Sequence, residues 1–236
     1  MKPSESEVPK HIGIILDGNR RFAKRLMLKP WKGHEWGYEK VKKLLDWANE
    51  LKINELTLYA FSIENFDRPK EEFNYLMDLS RKAFEELKTD DRVKKNKIRI
   101  NFIGRIWMFP KDVQQKMYEL MEQTKKHKGF FLNFAMAYGG RAEIIDATKR
   151  IAEAVKNGDL DVNEINENTF KEHLYMESEP DLIIRTSGEK RTSGFLLWQG
   201  SYAELYFVDK LWPEFEKEDL VKAIEDYSKR ERRFGK

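Results

Sequence analysis

The sequence contains no cysteine among its 236 residues. Disulfide scaffolds, cysteine-ligated zinc or iron–sulfur centres and thiol catalysis are therefore excluded. No apolar run reaches the roughly 18 residues that a membrane-spanning helix needs. Residues 1–10 are too polar for the apolar stretch of a signal peptide. We therefore expect a cytoplasmic enzyme that is at most peripheral at a membrane.

A large excess of charge of one sign is also missing. Lysine and arginine total 44, aspartate and glutamate total 41, and the formal net charge is +3. This balance argues against a polycationic nucleic-acid binder. Hydrophobic residues make up 40% of the chain and suffice for a core, and no repeat or flexible linker divides it. We therefore predict one domain over residues 1–236, with a flexible N-terminus at 1–10.

Short apolar runs alternate with amphipathic segments along the whole chain. The runs predict strands at 11–16, 55–61, 98–102, 130–137, 181–185 and 204–208. Apolar residues at helical spacing predict helices near 20–27, 39–51, 73–87, 111–126, 141–156 and 217–230. This alternation predicts an α/β fold with a mainly parallel central sheet flanked by helices.

Polar clusters follow three of the predicted strands, where α/β sheets bind their ligands. The first cluster, residues 17–21, combines Asp17, Gly18 and Asn19 with Arg20 and Arg21 at the start of a helix. Glycine and free helix N–H groups favour a bound anion, and arginine forks suit phosphate oxygens. The carboxylate would then hold a magnesium ion shared with the phosphates. A plain turn with Asp17 as helix cap explains these residues equally well.

The second cluster, residues 62–69, mixes small polar groups, aromatic rings and one arginine, and it also fits ordinary helix caps. The third, residues 185–194, holds two arginines, a lysine, four hydroxyl groups and two glycines beside an apolar segment. Three such loops at one sheet edge suggest two anionic substrates. An apolar tunnel walled by helices 39–51 and 73–87 would receive a lipid tail, although a filled core fits the same pattern. Candidate tunnel residues are Ala60, Phe130, Phe131 and Phe134.

Longer motifs connect these clusters over most of the chain. They read HIGIILDGNRRFAK at 11–24, LTLYAFSIENFDRP at 56–69, AYGGRAEI at 137–144, DLIIRTSGEKRTSGFLLWQGSYAELYF at 181–207, LWPEF at 211–215 and RERRFG at 230–235. In this order they resemble the cis-prenyltransferases, the undecaprenyl diphosphate synthase family. The resemblance implies Mg²⁺-dependent condensation of isopentenyl diphosphate onto an allylic diphosphate, farnesyl or geranylgeranyl diphosphate. The product would be a long-chain Z-polyprenyl diphosphate, the precursor of a glycosyl carrier lipid.

The resemblance also implies roles for individual residues. Asp17 and Asn65 take the catalytic positions, with Asn65 orienting groups because a neutral amide is a poor base. Asp17 and Glu204 take the metal positions. The substrate-binding positions fall on Gly18, Asn19, Arg20, Arg21, Phe22, His34, Ser62, Ile63, Glu64, Phe66, Arg68, Arg185, Arg191, Thr192, Ser193, Arg233 and Gly235. Residues 230–236 look like a tail that reaches a partner subunit, which implies a homodimer.

The chain departs from the family pattern in three places. Lys29 or Lys32 would replace an arginine of the first loop, Ala137 stands where asparagine is usual, and Phe66 replaces tryptophan. A non-catalytic partner subunit is the alternative reading, but such subunits lose the aspartate that is present here as Asp17. Trans-prenyltransferases need paired aspartate-rich motifs that the sequence lacks. An RNA-binding module is disfavoured because the cations are spread among acids and no stacking motif is visible.

Overall fold

A six-stranded sheet forms the centre of the computed structural model, which describes residues 8–231. The strands are β1 (His11–Ile15), β2 (Glu55–Ser62), β3 (Ile98–Ile103), β4 (Phe130–Tyr138), β5 (Leu182–Arg185) and β6 (Glu204–Phe207). Their order is β3-β4-β2-β1-β5-β6, and every neighbouring pair is parallel. The predicted α/β fold with a parallel sheet is confirmed. All six carboxyl ends therefore lie at one edge.

Helices connect the strands, as the spacing predicted. They are α1 (Asn19–Arg25), α2 (Gly33–Glu50), α3 (Lys70–Thr89), α4 (Asp91–Lys95), α5 (Lys111–Thr124), α6 (Gly140–Asn157), α7 (Glu167–Glu172) and α8 (Lys217–Lys229). Helix α2 begins six residues before the predicted start at Glu39, because its first turns carry few apolar residues to reveal a periodicity. Helices α4 and α7 were not predicted, since five or six residues are too few to show a helical repeat.

The two faces of the sheet are covered differently. The main hydrophobic core joins one face to α2, α3, α5 and α8, with Ile14, Leu44 and Met77 among its buried residues. The smaller core on the other face packs Phe195 and Leu196 against the sheet. Strands β1 and β5 are buried along their whole length, which explains why they appear in the sequence as continuous apolar runs.

The chain is already fixed to the sheet before β1 begins. Val8 packs against the main core, and the backbone N–H of Lys10 donates to Asp181 Oδ2 at 2.7 Å. Residues 8–10 therefore belong to the fold and not to the flexible N-terminus that we expected over 1–10. Residues 1–7 lie outside the described range. Within residues 8–231, no helix is both long enough and apolar enough to cross a membrane.

Candidate active site

The carboxyl edge of the sheet brings the three polar clusters together. Asp17 follows β1, Arg185 ends β5 and Ser62 ends β2, and β1 lies between the other two strands. Arg185 Nη2 donates to Asp17 Oδ2 at 2.8 Å, so the first and third clusters are in direct contact. All three residues line one cavity of about 350 Å³. The structure therefore brings the three polar clusters together at one cavity.

Asp17 is held by two arginines. Besides Arg185, Arg21 places Nη2 at 3.3 Å from Asp17 Oδ1. Burial alone would raise the pKa of the Asp17 carboxyl, but hydrogen bonds from Arg185 and Ser187 and the charges of both arginines outweigh it. The pKa therefore lies below its usual value. Asp17 is a carboxylate at neutral pH, with its charge directed toward the cavity mouth.

The backbone around Asp17 is fixed from several sides. The Asp17 carbonyl oxygen accepts from the backbone N–H of Trp212 at 2.9 Å and from Thr186 Oγ1 at 2.7 Å. Gly18 has φ +116°, and a Cβ there would lie 2.8 Å from Leu211 Cβ. Only glycine fits this position, for both conformational and steric reasons. The predicted glycine turn is therefore a rigid part of the site. Thr186, in the third cluster, and Trp212, in the LWPEF motif, received no role from the sequence because it does not show this contact.

A second pocket, of about 360 Å³, opens beside Asp17 and is rich in cations. It is lined by Leu16, Asp17, Gly18, Asn19, Arg20, Arg21, Lys24, His34 and Arg68. Four of these side chains are cationic, so the pocket favours a phosphate-bearing ligand. We call it the basic pocket. Lys24 is an addition that the sequence analysis did not single out.

Glu72 aligns two cations of the basic pocket. It is 1% exposed, and it accepts from Arg68 Nη1 at 2.9 Å while Arg20 Nη2 lies 3.5 Å away. The sequence analysis missed Glu72. Its position four residues after Arg68, at the start of a predicted helix, could have indicated an ion pair between the two side chains. The carboxylate keeps the forks of Arg20 and Arg68 oriented around the pocket.

His34 lies next to these arginines. Its Nε2 is 3.4 Å from Arg68 Nη1. Burial first, and then the charges of Arg68 and Arg20, lower its pKa to about 3. His34 is therefore a neutral ring in the free protein, and a bound phosphate would be the group that favours its protonation.

The apolar tunnel between the sheet and two helices is present. Beyond its polar mouth, the 350 Å³ cavity is walled by α2 and α3 through Val41, Leu76, Leu79, Ala83, Phe84 and Leu87. Ala60 and Phe134 also line it, as expected, whereas Phe130 and Phe131 are not among its lining residues. The cavity thus joins an apolar interior to a charged mouth, which suits an amphiphile with an anionic head.

The second cluster contributes only part of its expected residues to the cavity. Ser62, Asn65 and Arg68 line it. Asn65 Oδ1 accepts from the backbone N–H of Ser62 at 3.1 Å, so its amide oxygen is already engaged. Ile63 lies beside Gly139, Glu64 is exposed, and Phe66 packs against the aromatic rings of the core.

The third cluster is organised around Arg185, whose side chain is 5% exposed. Its Nη1 donates to the carbonyl oxygen of Arg191 at 2.6 Å and to Ser193 Oγ at 2.7 Å. The Arg191 side chain is exposed and pairs with Glu189, which also lies 3.5 Å from Arg21. Thr192 contributes a backbone contact to Phe195. In the first cluster, Phe22 packs on Trp36 at a ring-centroid distance of 5.8 Å.

Glu204 is not brought next to Asp17 within the single chain. It pairs in register with Leu182, three residues before Arg185, so it lies roughly 10 Å from the carboxyl edge. Its carboxylate pairs with Arg230 Nη1 at 2.5 Å. Between residues 8 and 231, no group of three or more histidine or acidic side chains is arranged for a metal. Arg233 and Gly235 lie outside the described residues.

Comparison with known proteins agrees with this geometry. The family model of undecaprenyl diphosphate synthase matches residues 15–235. A tritrans,polycis-undecaprenyl-diphosphate synthase (geranylgeranyl-diphosphate specific) of Methanopyrus kandleri is 49% identical over 100% of this chain and 88% of its own length. The synthase of the same name from Methanocaldococcus jannaschii is also 49% identical, over 98% of this chain and 84% of its own length.

A solved structure shares the fold over nearly the whole chain. It is lavandulyl diphosphate synthase of Lavandula x intermedia in complex with dimethylallyl diphosphate, with a TM-score of 0.92 and 35% identity. The alignment covers 98% of this chain and all of that one. The chain therefore belongs to the undecaprenyl diphosphate synthase family of cis-prenyltransferases, and it is an enzyme that transfers prenyl groups.

Proposed function

We propose that this enzyme extends geranylgeranyl diphosphate by successive condensation with isopentenyl diphosphate, forming cis double bonds. The observation that carries the proposal is the single cavity that joins Asp17, Arg185 and Arg68 at its mouth to an apolar interior. Such a cavity suits a diphosphate head with a hydrocarbon tail. The choice of primer is supported by the names of the two archaeal relatives, both geranylgeranyl-diphosphate specific. Farnesyl diphosphate remains the competing primer.

The basic pocket would hold the allylic diphosphate. Breaking its C–O bond places negative charge on the leaving diphosphate, and Arg20, Arg21 and Arg68 are placed to stabilise that charge. Arg185 and the loop around Ser193 would hold the second diphosphate. Their attachment to Asp17 fixes one substrate relative to the other, and this supplies the proximity contribution.

Asp17 is a suitable residue to share a magnesium ion with the substrate phosphates. Magnesium commonly binds one or two protein carboxylates together with phosphate oxygens, and Asp17 is ionised and partly exposed at the mouth. The ion would neutralise charge on the leaving diphosphate. Glu204, ion-paired to Arg230 away from the mouth, does not fit the role of a second ligand in the single chain.

Asn65 would position substrate groups. It would not be the base that removes a proton from the carbocation formed by the condensation. Its amide oxygen is engaged by the Ser62 N–H, so the NH₂ group is the part left to donate. An amide is also too weak a base for proton removal. We assign acceptance of that proton to a diphosphate oxygen or to water.

The test uses labelled isopentenyl diphosphate with geranyl, farnesyl and geranylgeranyl diphosphate, each with Mg²⁺ and with EDTA. We expect long polyprenyl products, most with the geranylgeranyl primer, and none with EDTA. Asp17→Ala should abolish turnover while the circular dichroism spectrum is retained. Asp78→Ala, at an exposed aspartate of α3, is the matched control and should be fully active. Absence of product with every primer would refute the proposal.

We also propose that the active form is a homodimer whose tail, residues 230–236, reaches the partner's site. Support comes only from the resemblance of Arg233 and Gly235 to the family tail. Light scattering after size exclusion should give twice the chain mass of 28.2 kDa. Deleting residues 232–236 should lower kcat while the dimer is retained, and a fully active monomer would contradict the proposal.

A further inference from the structure

Three consecutive apolar side chains project into solvent after α1. Leu26, Met27 and Leu28 are 47%, 95% and 40% exposed. They lie in segment 24–32, which consists of the last two residues of α1 and the connection to α2, and which we call the α1–α2 loop. Apolar side chains that are exposed singly need no explanation, but an adjacent set of this kind marks an interaction surface.

Met27 stands at a backbone position that favours glycine. Helix α1 ends in a Schellman motif, in which the Leu28 N–H donates to the Ala23 carbonyl and the Met27 N–H donates to the Lys24 carbonyl. The residue between these bonds adopts a left-handed conformation, and Met27 has φ +55°. A nearly fully exposed methionine therefore occupies a strained position, and stability of the fold does not explain the choice.

The sequence around this tip carries charge of one sign. Residues 18–34 include six cations (Arg20, Arg21, Lys24, Arg25, Lys29 and Lys32) and no acid. Their net charge is +6 against +3 for the whole chain, so the remainder sums to 3 − 6 = −3. Lys24, Arg25 and Lys29 flank the three apolar residues in the chain, and cations beside exposed apolar side chains are the combination that anionic lipid surfaces attract.

Five of these six cations have carboxylate partners, and Arg20 and Arg21 pair with Glu72 and Asp17 at the active site. Arg25 pairs with Glu214 at 2.9 Å, Lys29 with Glu71 at 2.7 Å and Lys32 with Glu35 at 3.3 Å. All three pairs are well exposed, so they are weak and exchange readily for lipid phosphates.

Tryptophan accompanies the loop, and the loop lies next to the active site. The Lys29 ammonium stands 5.1 Å from the ring of Trp31, and Trp36 is partly exposed beside Phe22. Tryptophan favours the interfacial region of a bilayer. Lys24, at the other end of the loop, lines the basic pocket. Contact through the loop would therefore hold the mouth of the site against the bilayer.

We propose that the α1–α2 loop docks the enzyme on an anionic lipid bilayer, with Leu26, Met27 and Leu28 inserted among the lipids and the surrounding cations on their phosphates. The bilayer fits better than a protein partner, because three side chains form too small an apolar patch for a stable protein interface. The inference concerns surface binding alone. It can therefore fail while the proposed reaction holds, and the reverse is also true.

The experiment measures sedimentation of the full chain with vesicles, without substrates. Phosphatidylcholine vesicles are compared with vesicles that also contain phosphatidylglycerol. We expect binding to the anionic vesicles, weakened by salt. Met27→Gly should reduce affinity by about tenfold or more, as expected for one inserted apolar side chain. The double variant Arg25→Gln/Lys29→Gln should lose up to about fivefold per cation.

Controls separate docking from folding. Met27→Gly replaces the residue at a position that favours glycine, so its melting temperature should be unchanged or higher. Val162→Ser removes an apolar side chain that is 62% exposed. Val162 follows α6, which runs back toward the amino edge of the sheet, away from the α1–α2 loop. This variant should therefore bind vesicles like the natural chain. Equal binding to neutral vesicles, or undiminished binding by Met27→Gly, would overturn the proposal. Binding to RNA but not to vesicles would overturn it too.

Discussion

Gly33, the first residue of α2, sets the separation between α1 and α2. A Cβ at this position would lie 1.9 Å from the carbonyl oxygen of Asn19, the first residue of α1, which also lines the basic pocket. The obstacle is backbone, so no side-chain rotation can relieve it. Gly33 has φ −59°, which alanine adopts without strain, so Gly33→Ala tests crowding alone.

The expected cost lies at the upper end of overpacking effects, about 3 kcal/mol, reduced a little by the better helix propensity of alanine. For a chain of this size, that corresponds to a fall in melting temperature of roughly 6–12 °C. Because the Asn19 backbone must move, the allylic-substrate KM should also rise. Thermal unfolding followed by circular dichroism and steady-state kinetics measure the two effects.

Gly158→Ala is the matched control. Gly158 has φ +81°, and a Cβ at this position would have no atom within 4 Å, so alanine there meets conformational strain without crowding. We expect a loss of about 1 kcal/mol and unchanged kinetics. If Gly33→Ala were as stable as the natural chain, or destabilised with an unaltered KM, the proposed coupling of α2 to the basic pocket would be wrong.

Three further predictions concern titration and cavity shape. The pKa of His34 is about 3 in the folded chain against about 6.5 unfolded. The unfolded state therefore binds more protons between these two pH values. The free energy of unfolding should fall on acidification through that window by up to about 1.4 kcal/mol per pH unit. His34→Asn should flatten urea-derived stability against pH there, and an unchanged slope would contradict the assignment. Burial raises the pKa of Glu143 despite hydrogen bonds from Tyr138 and Gln199, so the natural chain loses stability as this carboxyl ionises above about pH 4.5. Glu143→Gln cannot ionise and should gain stability relative to the natural chain over that range, which parallel denaturant titrations would measure. Ala83→Phe should fill the apolar cavity and shorten the products seen by chromatography; an identical length distribution would place the growing chain elsewhere.

Much of the fold follows from local sequence pattern. Strands β1 and β5 are buried on both faces, and burial of that kind requires continuous apolar runs that are visible in the sequence. The parallel sheet follows from strand–helix alternation, and it places Asp17, Ser62 and Arg185 at one edge. Long motifs indicated the family. Helices α4 and α7, by contrast, were too short to leave a periodic signal.

The tertiary structure decided which charges meet. Sequence patterns marked Arg20 and Arg68, but the buried Glu72 that aligns them was found only by their convergence in space. Glu204 lies within a recognisable motif, yet the parallel register places it at the amino end of β6, paired with Arg230. The sequence also fitted a filled core as well as a tunnel, because an apolar side chain has the same identity whether it touches a neighbour or faces a cavity. A tunnel is distinguished from a filled core by the distances between elements, which the local sequence pattern does not encode.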